Sequence, residues 1–123
     1  MSRCCRVLAV IVVCLLVGLA AAFEGIAPVD AIHHVGERAT VCGRVASAKY
    51  AESSRGSPTF LNLDKPYPNH VFTALIWGSD RSHFSSPPET LSGTGICVTG
   101  TIGIYRGRAQ IEVSKPSQIR SMP

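Results

Sequence analysis

The sequence predicts an all-β fold: a small five-stranded Greek-key barrel with a short helix between strands 3 and 4 and a short N-terminal lead-in helix. Three observations carry that prediction. From Ala39 onward the chain is a succession of β-rich runs bounded by Gly, Pro, Ser and Asn. Within these runs apolar and polar residues alternate, the period of a strand with one buried face. The opening of the chain reads so differently that about 100 residues remain, enough for one core and no more.

Residues 1–22 form the first unit. Arg3 and Arg6 supply a positive start, residues 7–19 are an apolar run interrupted by Cys14 and Gly18, and Ala20, Ala21 and Ala22 follow. That order is the one a signal peptidase requires, so cleavage is expected after Ala22, before Phe23. The run is shorter than the ~20 apolar residues that span a bilayer, which argues against an uncleaved anchor. None of Cys4, Cys5 and Cys14 follows the small residue that precedes a lipid-modified cysteine. The expectation is a signal peptide and an exported protein, periplasmic or extracellular, with no stable membrane insertion after cleavage.

Residues 23–38 make the lead-in. The stretch 28–35 (PVDAIHHV) begins with proline and stops at Gly36, which fits one or two helical turns. The barrel domain spans residues 39–120, with strands expected at 39–50, 58–63, 70–77, 95–105 and 109–114. In the first strand Val41, Gly43 and Val45 share the inward face; in the fourth, Ile96, Val98, Gly100, Ile102 and Ile104 do. Gly43 and Gly100 sit where the strands of a small barrel must bend. Thr59, Leu61 and Leu63 face inward on the second strand, leaving Phe60, Asn62 and Asp64 outside. Between strands three and four, Ser79 or Asp80 is expected to cap a short helix ended by Pro87 and Pro88. Five strands with a helix in that position is the order of the oligonucleotide/oligosaccharide-binding (OB) barrel.

Composition excludes little and permits much. Removal of Arg3 and Arg6 takes the 12 basic residues to ten against eight acidic ones, and the formal charge from +4 to +2. A charge of that size permits a polyanion without announcing one, so its distribution matters more. Lys49 and Arg55 lie around the first loop, Lys65 follows strand two, and Arg106 and Arg108 flank the last hairpin turn. Those loops border the ligand groove of an OB barrel. Aromatic platforms for stacked bases are Phe60, Tyr67 and Trp77, with core burial the competing role for Trp77 and for Phe72. The histidines (His33, His34, His70, His83) have no cysteine or carboxylate at ligand spacing, so surface or capping roles are expected and no metal or other cofactor. No G-x-S-x-G elbow, P-loop or paired carboxylates appear, so no enzyme is expected.

Cys42 and Cys97 are the cysteines left after cleavage. Alternation puts both on the outer faces of strands one and four, neighbours in an OB barrel, and export exposes them to oxidising surroundings. A disulfide is expected, with two free thiols as the alternative.

The strings AIHHVGE at 31–37, VCGRV at 41–45, PTFLNLD at 58–64, YPNHVFTALIWG, ICVTGTIGIYRG and PSQI cover almost all of the mature chain. Through them it resembles the OB domains of bacterial exported nucleic-acid-binding proteins, some of which are attached to secreted sugar-nonspecific nucleases. The resemblance implies nucleic-acid binding by a stand-alone domain, without nuclease activity. It is more distantly similar to the anticodon-binding OB domains of some tRNA synthetases, in which a second-strand Phe three residues before a Leu stacks on a base, the spacing of Phe60 and Leu63. The Arg-Asp pair of that motif is replaced by Asp64 and Lys65, so the similarity carries stacking and not base-specific readout. The functional expectation is a monomeric, non-catalytic binder of single-stranded DNA or RNA with low sequence specificity. The alternative is an envelope interaction module that takes a small molecule, an oligosaccharide or an envelope or secreted protein partner in the same groove.

Overall fold

The computed structural model describes residues 25–123; the expected signal peptide, residues 1–22, lies outside them. Six strands follow in order: β1 (Arg38–Tyr50), β2 (Thr59–Leu63), β3 (Phe72–Ile76), β4 (Gly95–Tyr105), β5 (Arg108–Glu112) and β6 (Ile119–Ser121). β1 pairs antiparallel with β2, β2 with β3, and β5 with β4; β3 and β5 run parallel, and β4 returns to β1. That closed circuit is the five-stranded OB-type barrel. Inside it lie alternate residues of every barrel strand, among them Val41, Leu61, Phe72, Ile96 and Ile111, all at most 1% exposed.

β1 is long because it serves both halves of the barrel. Residues 38–44 pair with β4 and residues 45–50 with β2, and between Val45 and Ser47 the register slips. Ala46 is the extra residue of a β-bulge, which bends the strand and adds twist. Val41, Gly43 and Val45 face inward before it. After it Ala48 packs toward the core, while Ser47 and Lys49 face outward into a groove.

The expected β4 stripe holds as far as Ile102 and then fails, since Ile104 is 57% exposed. It pairs with Ala109 one rung before the hairpin turn; Ala109 is still part of the core, whereas the Ile104 side chain is not. The inward glycines answer close approach: a Cβ on Gly100 would lie 2.6 Å from Ile111 Cγ2, and one on Gly43 the same distance from Asp64 Oδ1.

The single helix expected between strands three and four is instead two 3₁₀ turns, Gly78–His83 and Pro88–Leu91. Ser79 and Asp80 lie within the first turn, whose cap is Trp77 with no side-chain bond, and Pro88 starts the second turn at the position where its fixed φ suits a helix. Arg81 ties this segment to the barrel. Its Nη1 donates to Thr59 Oγ1 (2.6 Å) and Glu89 Oε1 (2.9 Å), and the guanidinium lies 3.5 Å from the centre of the Tyr50 ring. The hydrogen bond from Arg81 holds the Glu89 carboxyl below its ordinary range, and Glu89 raises the guanidinium in return.

The lead-in is a 3₁₀ turn, Pro28–His34, with Ala31 buried against the core. β6 was not foreseen. It pairs with Ile96–Val98 of β4 after a turn organised by Gln118, whose Oε1 accepts from the Ser114 and Lys115 backbone (2.8 and 3.1 Å) and whose Nε2 donates to the Thr99 carbonyl (3.0 Å). Cys42 and Cys97 occupy one rung of the β1–β4 ladder and are joined as a disulfide with their Cα atoms 4.0 Å apart. On the opposite edge of β1 Ile26 forms a bridge with Val41, its amide donating to the Thr40 carbonyl and its own carbonyl accepting from the Cys42 amide.

Candidate nucleic-acid interface

The outer faces of β1, β2, β3 and β5, with the β4–β5 hairpin, enclose a groove of about 680 Å³. Register lines up its floor. One rung runs across five strands as Ser47, Asn62, Thr73, Gln110 and Gly103, and the next brings Lys49 beside Phe60.

The floor is held by hydrogen bonds between side chains. Thr73 Oγ1 donates to Asn62 Oδ1 (2.7 Å), Asn62 Nδ2 donates to Ser47 Oγ (3.0 Å), and Ser47 Oγ also accepts from the Tyr67 amide (3.1 Å). Asn62 is 5% exposed and bonded through both amide atoms, so it shapes the groove from beneath. The same relay fixes the start of the β2–β3 loop, which contains the cis Tyr67–Pro68 bond.

Tyr67, 73% exposed, stacks on His70 with centroids 5.6 Å apart and planes inclined by 21°. Arg108 Nη1 lies 3.2 Å from the ring nitrogens of His70. Burial, and then the Arg108 charge, push the His70 pKa below its ordinary value, so near neutrality the ring is uncharged and can accept from the guanidinium. Across the groove mouth the hairpin turns through Arg106 and Gly107, both at positive φ (49° and 78°), the type I′ arrangement that matches strand twist. The Arg106 guanidinium lies 5.3 Å from the Tyr105 ring centre.

Six of the residues expected to bind line this groove: Lys49, Phe60, Asn62, Tyr67, Arg106 and Arg108. Three do not. Trp77, 38% exposed, packs against Gly56, where a Cβ would lie 2.9 Å from the ring, and its Nε1 donates to Glu112 Oε1 (3.4 Å). It pins the β1–β2 loop to the end of β3, a bond repeated by the Gly78 amide on the Gly56 carbonyl. Arg55 and Lys65 are exposed in their loops but outside the groove lining. His70, Tyr105 and Gln110 line it without having been singled out as binding residues. Gln110 was accessible to sequence reading, because it shares the outward face of β5 with Arg108. The position of His70 depends on the fold of the loop. Among the described residues no Asp or Glu lines the groove. Among the described residues no three His, Cys, Asp or Glu side chains gather as a metal site would need.

Compared with family models and with curated proteins, the chain matches none. Among solved structures it is similar to an aspartyl tRNA synthetase from Entamoeba histolytica, at 14% identity and a TM-score of 0.46, over 81% of this chain and 23% of that one. The chain thus spans less than a quarter of the length of that protein.

Proposed function

We propose that this is an exported, non-catalytic protein that holds single-stranded DNA or RNA in the groove with little sequence preference. One observation carries the reading: two aromatic faces, Phe60 and Tyr67, lie in a groove whose formal charges are all positive, from Lys49, Arg106 and Arg108. Bases can stack on the rings while phosphates follow the cations, and neither contact depends on base identity. These side chains bind and position, which supports a holding role. The order of basic, apolar and small residues in 1–22 supports export.

Fluorescence polarisation of the purified protein with single strands and duplex, at two salt concentrations, tests the proposal. Phe60→Ala should weaken single-strand binding by about 1–3 kcal/mol with the salt slope unchanged, since a neutral stacking contact displaces no counterions. Lys49→Ala should flatten the slope by roughly one unit or a little less if the ammonium contacts one phosphate. Failure to bind any single strand at low salt refutes the proposal.

A further inference from the structure

We infer that His70 and Arg108 together make a phosphate site in the groove, and that this site takes up a proton when a phosphodiester enters it, so that single strands are held more tightly as pH falls. The inference rests on the groove being a single-strand binding site. It deepens that reading by naming the two side chains that close on one phosphate and the proton that comes with it.

Chain topology brings the two residues together. β3 and β5 run parallel from the rung Phe72–Ala109, and His70 and Arg108 stand just before that rung on the two segments that enter it. The loop that carries His70 is held at the Tyr67 amide by Ser47 Oγ and closed by the Asn69 amide on the Pro66 carbonyl (3.0 Å). His70 is half-buried and stacked on Tyr67, while Arg108 is exposed and brings Nη1 to 3.2 Å from both ring nitrogens.

An anion is what this pair lacks. Among the described residues the ion pairs lie elsewhere, between Arg81 and Glu89, His34 and Glu37, and His83 and Asp80. The other titratable or charged side chains of the groove are Lys49 from β1, Tyr67 from the loop, and Tyr105 and Arg106 from the hairpin, so no carboxylate of the lining faces His70. Asp64, on the same loop, accepts from the Arg44 amide (3.3 Å), and Glu112 of β5 accepts from Trp77, both outside the lining. Burial, and then the Arg108 charge, accordingly hold the ring neutral. A proton added to it alone would set two cations side by side and remove the nitrogen that accepts from the guanidinium.

A phosphodiester reverses that balance. It carries one negative charge and two non-bridging oxygens, one for the guanidinium and one for an imidazolium N–H. An opposite charge within about 4–6 Å moves a titratable group by about 1–3 pH units toward its charged form, so the proton comes from solvent as the strand binds. The bound form then holds the proton more tightly than the free form. Affinity is therefore highest below the free pKa, falls as pH rises from there to the bound pKa, and is lowest above both. The contact is with the backbone and does not depend on the base, and Tyr67, 73% exposed, keeps a face open for stacking.

Fluorescence polarisation of the purified protein with an oligo-dT bearing no terminal phosphate, between about pH 5 and 8 at fixed low salt, tests this with a probe that does not itself titrate in the range. The expected result is binding about tenfold or more tighter at the acid end. His70→Gln, folded by circular dichroism, should hold the affinity of the parent at the alkaline end across the whole range. Independently of any variant, the ¹H NMR titration of His70 in the parent should move upward by about one unit or more at saturating dT, and inorganic phosphate at the same phosphate concentration should leave it in place. If His70 titrates alike with and without dT, if inorganic phosphate moves it as far, or if folded His70→Gln keeps the pH profile of the parent, the inference is overturned and the groove reading stands. If the parent binds no single strand at low salt anywhere in the range, both are overturned.

Discussion

Replacing Asn62 by alanine removes the middle of the Ser47–Asn62–Thr73 relay, and the structure allows its cost to be worked out. Two hydrogen bonds disappear, each contributing about 1 kcal/mol net. Their partners are affected differently. Ser47 is half-buried at the groove wall and still accepts from the Tyr67 amide, whereas Thr73 is 7% exposed and its hydroxyl is left with nowhere to donate. An orphaned buried hydroxyl adds a penalty of about 1–3 kcal/mol, so Asn62→Ala should destabilise the barrel by roughly 3–5 kcal/mol. Thr73→Val removes the orphan in advance. In urea titrations of the parent, both single variants and the double variant, the double should be more stable than additivity predicts by about 1 kcal/mol or more. Effects that add within about 0.3 kcal/mol would show that the two side chains act independently and would refute the reasoning.

Two further outcomes follow from particular side chains. Replacing Cys42 and Cys97 by alanine opens a link between residues 55 apart in sequence; in the chain-entropy model this costs about 4 kcal/mol, a large share of a typical domain's stability, and the loss should appear as a lower thermal midpoint. His70 should titrate below 6.5 in ¹H NMR, and Arg108→Ala should move it upward by removing the nearby charge. Because the folded pKa is depressed, the unfolded chain takes the proton first. The contribution of neutral His70 is thus complete above about pH 6.5 and is lost as pH falls from there through the folded value, and His70→Gln should abolish that part of the pH dependence.

The strands were legible because a barrel with one buried face imposes a period of two, and the runs around Val41, Leu61, Ile96 and Ile111 carry it plainly. β6 was not, since three residues after a proline turn show no period at all. The segment before β4 reads as one helix because the sequence shows where prolines fall but not that Arg81, in the first of two separate turns, bonds to Thr59 and to Glu89 in the second. Within the site, the cations of the hairpin and Phe60 followed from strand and loop position. Asn62 faced outward as expected, yet its role is fixed by partners 15 and 11 residues away, which alternation does not reveal. Loop position alone does not separate Arg55 and Lys65 from the cations of the groove, and an aromatic at the end of a strand, Trp77, does not show in the sequence that it packs on Gly56.

The bulge at Ala46 decides which side of the molecule the later half of β1 faces. Up to Val45 the odd-numbered residues are the interior ones; beyond it the odd-numbered Ser47 and Lys49 are exterior and the even-numbered Ala48 turns toward the core. Parity is reversed by a single residue that has no partner of its own. Flattening the bulge with Ala46 kept in the ladder would exchange the two faces under strict alternation, putting a lysine where the core needs an alanine and carrying the Ser47 hydroxyl away from Asn62 and Tyr67, whereas deleting Ala46 would leave Ser47 outside and Ala48 inside. Ala46 thus contributes to the groove by setting the phase of the strand, although it does not line it.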